Sequence, residues 1–161
     1  MARKGAGPSG QSVYMFFNRP STSEYVDASG ADLTQGYDLY TARKHDRFSV
    51  SVHYHAIAKG DLAIVYRFSD VPALAGVAAV ARIRSGGLTD ATGFRHVRWD
   101  LLRLPPELIL TRDEFLADPR WQGRTPFVAN QRARGPVELS PDDWRWISAR
   151  LAPVAVAWLV R

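Results

Sequence analysis

His53 and His55 stand two positions apart, with His45 a short way upstream, in a chain that has no cysteine. On a strand this spacing puts both imidazoles on one face, as a metal site requires. No spaced carboxylate fixes a third ligand, although Asp46 and Asp61 are candidates. Surface exposure or contact with phosphate is therefore the stronger reading for His53 and His55. A second run, NQRARG from Asn130 to Gly135, sets Gln131, Arg132 and Arg134 in a late loop behind an aromatic patch. A guanidinium offers two parallel donors to a phosphate, which favours backbone phosphate contact over a solvated turn. Without a thiol there is no disulfide, thiol catalysis or cysteine-based zinc site. The P-loop, G-x-S-x-G, dinucleotide and H-E-x-x-H patterns are missing as well. Lys44 with Asp46 is the one lysine and acid pair near the histidines, so catalysis is the weaker reading, and no cofactor or metal is expected.

Strands must position these residues. Leu62, Ile64, Tyr66 and Phe68 alternate with Ala63, Val65 and Arg67, the period of a half-buried strand. Gly76 to Arg84 fits a second strand, and the short Pro-containing connection makes the two a hairpin at the middle of the sheet. Val13 to Asn18 (VYMFFN) predicts the first strand, ended by Pro20. Residues 21–46 read as loop with a short helix near Ser23 to Ala28. Phe48 to Val52 predicts a further strand, and HYHAIAKGD a turn ending at Gly60. Ser85 to Gly93 (SGGLTDATG) reads as a mobile loop, and Phe94 to Leu104 as a long strand that Pro105 and Pro106 stop. Thr111 and Glu114 make a T-x-x-E capping box for a helix that Pro119 closes. A short strand is expected near Pro126 to Ala129. Ser140 and Pro141 open a helix with Trp144, Ile147 and Leu151 on one face. Val154 to Val160 fits either a strand or a helix.

At 161 residues, 46% hydrophobic and 23% charged, the composition is that of one ordinary globular domain. No apolar run reaches the ~18 residues of a membrane span. Residues 1–12 are basic and Gly-rich without the apolar core of a signal peptide, so they are expected to be a flexible tail on a cytoplasmic protein. The net charge of +5 favours a polyanionic partner. Only Lys4, Lys44 and Lys59 of the 21 basic residues are lysine, a bias that a GC-rich genome can produce unaided. The clustering says more. Ten arginines, Arg84 among them, lie between Arg82 and Arg134, interleaved with Phe94, Trp99, Trp121 and Phe127.

In this order the residues resemble the EVE family and, behind it, the YTH domains, both within the PUA-like fold. The resemblance rests on VYMFFN, the Phe-Ser-Val-Ser stretch at Phe48 to Ser51, the K-G-D turn at Lys59 to Asp61, and the strands LAIVYRF, GVAAVARI and FRHVRWDLL. It continues through RDEFLADPRWQG and the closing V-x-L-S-P-D-D-W from Val137 to Trp144, and spans about Val13 to Ile147. It implies an α+β fold, a small curved β-barrel flanked by short helices, as a single EVE/PUA-like domain over residues 13–161. It also implies a non-catalytic reader that flips one modified base into an aromatic pocket. Phe48, where relatives usually have Trp, would be the first wall; Ser49 and Val50 would approach the base, and Asn18 with Arg19 its polar edge. Leu88 and Phe94 would stand where other readers place a second Trp, and Tyr66 would offer its hydroxyl. His53, His55, Arg84, Gln131, Arg132 and Arg134 would take phosphates. DNA is favoured over RNA, with a separate nuclease or modification-system protein as a further partner. The alternatives are an RNA-binding PUA/YTH-like module, an ASCH-like small hydrolase of nucleosides using Lys44, Asp46 and the histidines, and a protein-interaction module.

Overall fold

The alternating strands become the centre of one mixed sheet. A computed structural model of the chain describes residues 5–18, 47–49, 56–89, 91, 93, 95–124 and 136–161, with 47–49 as backbone. β1 (Val13–Asn18) runs parallel to β3 (Leu62–Arg67), with Val13 opposite Leu62 and Asn18 opposite Arg67. Antiparallel pairing then links β3 to β4 (Gly76–Thr89), β4 to β5 (Arg95–Arg103) and β5 to β2 (Arg47–Ser49). Two short strands complete the ladder, β6 (Leu110–Thr111) on the start of β4 and β7 (Val137–Glu138) on β1. The resulting order is β2-β5-β4-β3-β1-β7, with β6 off that path.

Every residue of β1 and β3 is buried, because both faces of the sheet are covered. On the outer face Val13, Met15, Phe17, Leu62, Ile64 and Tyr66 share a core with Phe115, Trp121, Trp144, Trp146 and Ile147. These come from α1 (Arg112–Leu116), α2 (Pro141–Ser148) and the turn between them, and α3 (Pro153–Leu159) adds Ala155 and Leu159. On the inner face Tyr14, Phe16, Ala63, Val65, Ala79, Ala81, Ile83, Val97 and Trp99 form a second core. There the Phe16 and Trp99 rings meet edge to face at 5.1 Å, although β3 and β4 lie between their strands in the sheet. Three strand spacings amount to about 14 Å, so the sheet must curl until β1 faces β5. The curvature of the expected barrel is therefore present. Among the described residues the ladder stays open, with β2 and β7 at its two ends.

The helix signals hold. Thr111 and Glu114 form the full capping box, and the Ser140 hydroxyl accepts the Asp143 N–H at 3.1 Å. Pro153 starts a helix, which resolves the ambiguous 154–160 run. The expected loop at Ser85 to Gly93 is instead strand through Thr89, with register shifts between Ile83 and Ser85 and between Ser85 and Leu88. The glycines misled because they serve bulges and a close approach: a Cβ on Gly86 would collide with the Ile57 carbonyl oxygen. Residues 5–12 lie within the expected tail. Gly5, Gly7 and Gly10 hydrogen-bond within a turn, and Ser12 is buried, its N–H donating to Asp61 Oδ1 at 3.1 Å. The expected helix near residues 23–28 and strand near 126–129 lie outside the described residues. No helix among the described residues is long and apolar enough to cross a membrane.

Candidate nucleic-acid interface

β1 ends in a polar residue on the inner face. Asn18 follows Tyr14 and Phe16 in the two-residue alternation and is fully buried. Its carbonyl oxygen accepts the Phe68 N–H at 2.9 Å, which fixes the strand end. The side-chain amide is different: neither Oδ1 nor Nδ2 has a hydrogen-bond partner among the described residues. Each buried, unsatisfied polar group costs about 1–3 kcal/mol. Such groups are rare in folded proteins and call for a reason.

Arg67 is the register partner of Asn18 on β3 and alternates with Ala63 and Val65 onto the same face. It is 7% exposed, and its Nη1 donates to the Leu74 carbonyl at 3.2 Å, tying down the β3–β4 connection. An apolar interior thus ends in a buried amide beside a buried guanidinium. The sequence reading missed Arg67, taking its place in the alternation for a solvent face. The available signal was the apolar character of the remaining residues on both sides of the strand, which marks it as covered twice.

The curl sets β1 across from β5, the strand beside two of the other expected pocket residues. β5, which faces β1 through the Phe16–Trp99 contact, is also the strand that pairs with β2. Phe48 sits in register with Val97 and Ser49 with His96. His96, not singled out from the sequence, is buried there.

Tyr66 does not join them. One residue before Arg67, it belongs to the outer core, where its ring contacts Phe68 at 5.2 Å and Phe115 at 6.2 Å. Burial pushes its phenol well above the usual value. Leu88 is 37% exposed near the end of the β4–β5 hairpin, opposite His96.

Arg84, expected on phosphate, is at the surface and paired with Asp100 at 3.4 Å, both side chains half exposed. Asp61, the metal candidate, is committed to the turn, with Oδ1 accepting from Ser12 N–H and Oδ2 from Ala58 N–H at 2.8 Å. Arg19, Val50, His53, His55, Phe94, Gln131, Arg132 and Arg134 lie outside the described residues, as do Lys44, His45 and Asp46.

Sheet order, curl and helical cover define an α+β chain of the PUA-like class. No family model matches the sequence, and no curated protein matches it. Among solved structures it is similar to human THYN1 protein in complex with 5-methylcytosine-containing DNA, at 12% identity and a TM-score of 0.58, over 85% of this chain and 95% of that one. It is also similar to Atu2648 from Agrobacterium tumefaciens (10% identity) and Rpa0253 from Rhodopseudomonas palustris (14%). Both have a TM-score of 0.48 and cover 84% of this chain and 90% of theirs. The THYN1 likeness shows the fold, and the resemblance to the EVE family holds at that level.

Proposed function

We propose that the protein is a non-catalytic EVE-type reader that takes one modified DNA base out of the duplex and holds it at the inner end of β1. The observation that carries the proposal is the buried Asn18 amide, whose oxygen and nitrogen have no hydrogen-bond partner among the described residues. It is supported by a fold shared with THYN1, a protein solved with 5-methylcytosine-containing DNA.

A side-chain amide presents an acceptor beside a donor, the complement of a nucleobase edge. With cytosine, the exocyclic amino group donates to Oδ1 and ring N3 accepts from Nδ2. The free protein already bears the desolvation cost of the amide, so two hydrogen bonds to a base recover it. Phe48 supplies a flat face in place of lost stacking, about 1–3 kcal/mol per base, and Ser49, Val50 and Arg19 complete the contacts. Arg84, Arg132, Arg134, Gln131, His53 and His55 hold phosphates on the flanking strand. Tyr66, on the other side of the sheet, has no part in it.

The test is a titration of duplexes that differ only in one 5-methylcytosine, at several salt concentrations, with an RNA of matched sequence beside them. Tighter binding of the modified DNA, weakening with salt for both duplexes, is expected. Equal affinity for the two DNAs would refute base reading, and preference for the RNA would reassign the site.

A further inference from the structure

A side-chain amide by itself does not choose between bases. Its oxygen and nitrogen are nearly alike in shape, so a half-turn of the group exchanges acceptor for donor. In one setting the amide complements cytosine, whose edge runs from an amino donor to a ring acceptor. In the other it complements thymine, whose edge runs from a carbonyl acceptor to a ring N–H. A site that prefers one of these bases must fix the setting. Among the described residues no hydrogen bond does so, because neither Oδ1 nor Nδ2 of Asn18 has a partner.

Arg67 supplies what the amide lacks. It stands opposite Asn18 in the parallel pairing of β1 with β3 and on the same face, so the two side chains leave strands about 4.8 Å apart. Asn18 is fully buried and Arg67 is 7% exposed, so solvent screens the pair little. The guanidinium keeps its charge at any working pH. It is also held in place, since Nη1 donates to the carbonyl of Leu74, in the connection that leads from β3 to β4. A fixed cation beside a buried amide orients the amide dipole, and the low dielectric of the interior strengthens that field. The favoured setting turns Oδ1 toward β3 and Nδ2 away from it.

We infer that Arg67 is a positioning residue for base choice: its charge holds the Asn18 amide with its oxygen toward β3, so that the site accepts 5-methylcytosine and rejects thymine. The inference rests on the base-reading proposal and adds which base edge is read. Thymine is the informative competitor because it carries the same 5-methyl group on a ring of the same size, with the amino donor and ring acceptor replaced by a carbonyl and an N–H. Against the fixed amide its carbonyl meets Oδ1 and its N–H meets Nδ2, and both stay unpaired. A pocket that measured only the methyl group would take the two bases alike.

The experiment compares the wild type with Arg67→Met and Arg67→Lys on DNAs carrying 5-methylcytosine, thymine or cytosine opposite an abasic position, where no base pair has to be broken to extrude the base. The wild type should bind the 5-methylcytosine DNA about tenfold more tightly than the thymine DNA. Arg67→Met keeps the reach of the side chain without its charge and should bring that ratio to within about twofold, because the amide can then turn to suit either base. Arg67→Lys keeps a cation there and should restore most of the ratio. Losing the bond to Leu74 lowers stability in the Met variant, but all three DNAs meet the same folded fraction, so the ratio does not move with it. Equal losses on all three DNAs, with the ratio kept, would make Arg67 a brace for the β3–β4 connection and overturn the inference. A wild type that binds thymine as well as 5-methylcytosine, both above cytosine, would show a site that reads only the methyl group; the inference would fall and base reading would stand. Equal wild-type affinity for 5-methylcytosine and cytosine is the failure of the base-reading proposal itself, and takes the inference with it.

Discussion

The two faces of the sheet are packed by different rules. The outer face is large and aromatic: the Phe115, Trp121 and Trp146 rings meet pairwise at 5.1–5.3 Å, and Trp146 donates its indole N–H to Asp118 at 2.8 Å. Arg124 and Asp143 close its edge with two hydrogen bonds at 3.0 and 2.6 Å. The inner face includes smaller residues, Ala63, Val65, Ala79 and Ala81 among them, and ends in an amide with no hydrogen-bond partner among the described residues. At that amide the inner face gives up some stability, as the proposed base site requires.

The sharpest way to break that contrast is to damage the outer face. Phe115 is fully buried, and Phe115→Ala should cost about 3–5 kcal/mol in urea denaturation, by lost burial and an unfilled cavity. The protein that remains folded should still discriminate 5-methylcytosine as before. Loss of that discrimination in the folded fraction would mean that the two faces are not separable.

Asn18→Leu is the converse. Removing a buried amide that has no partner should raise stability by about 1 kcal/mol, while preference for the modified base disappears. A destabilised variant would show that the amide is bonded after all, and would take away the observation on which the reading stands.

Much of the outer face was legible in the sequence, because its devices are local. Thr111 with Glu114, Ser140 before Pro141, and the spacing of Trp144, Ile147 and Leu151 each announce a helix within a few residues. The strands β1, β3 and β5 were legible by alternation. What was hidden depends on distance along the chain. Burial on both sides of β3 hides which side is which, so Tyr66 and its neighbour Arg67 exchange roles. The glycines of β4 look like a loop until Ile57 is seen lying against Gly86. β6 and β7 are too short for any periodicity. Asn18 entered the candidate site through family resemblance; that its side-chain amide has no partner among the described residues is visible only once the strands are packed.

Acid should separate the faces by a smaller margin. Burial pushes the Asp143 carboxyl up, but hydrogen bonding and attraction to Arg124 outweigh it, so the group titrates below the usual carboxylate range. The Asp118 carboxyl is lowered too, by the Arg120 backbone N–H and then the Trp146 indole. A folded-state value below the unfolded one stabilises fully above about pH 3.9 and fades as the pH falls through the folded value. Unfolding free energy should therefore decline below about pH 4. Asp143→Asn should be less stable at pH 7 by about 1 kcal/mol, since Arg124 is half exposed, and its decline in acid should be shallower. Parallel pH profiles for variant and wild type would remove Asp143 from the account.

The smallest effects belong to single phosphate contacts, and they test whether affinity and base choice are carried by different parts of the protein. Replacing Arg132 or Arg134 with Gln should reduce the slope of log affinity against log salt by about one each, equally for modified and unmodified DNA. Arg84→Gln should do less. In the free protein Arg84 already shares its charge with Asp100 at 3.4 Å, so fewer counterions are displaced when a phosphate takes its place. Asp100→Asn should enlarge the Arg84 effect toward a full unit, because it removes the competing carboxylate. If the Arg84 contribution stays the same with Asp100 neutralised, this arginine faces no phosphate, and its charge acts only at long range.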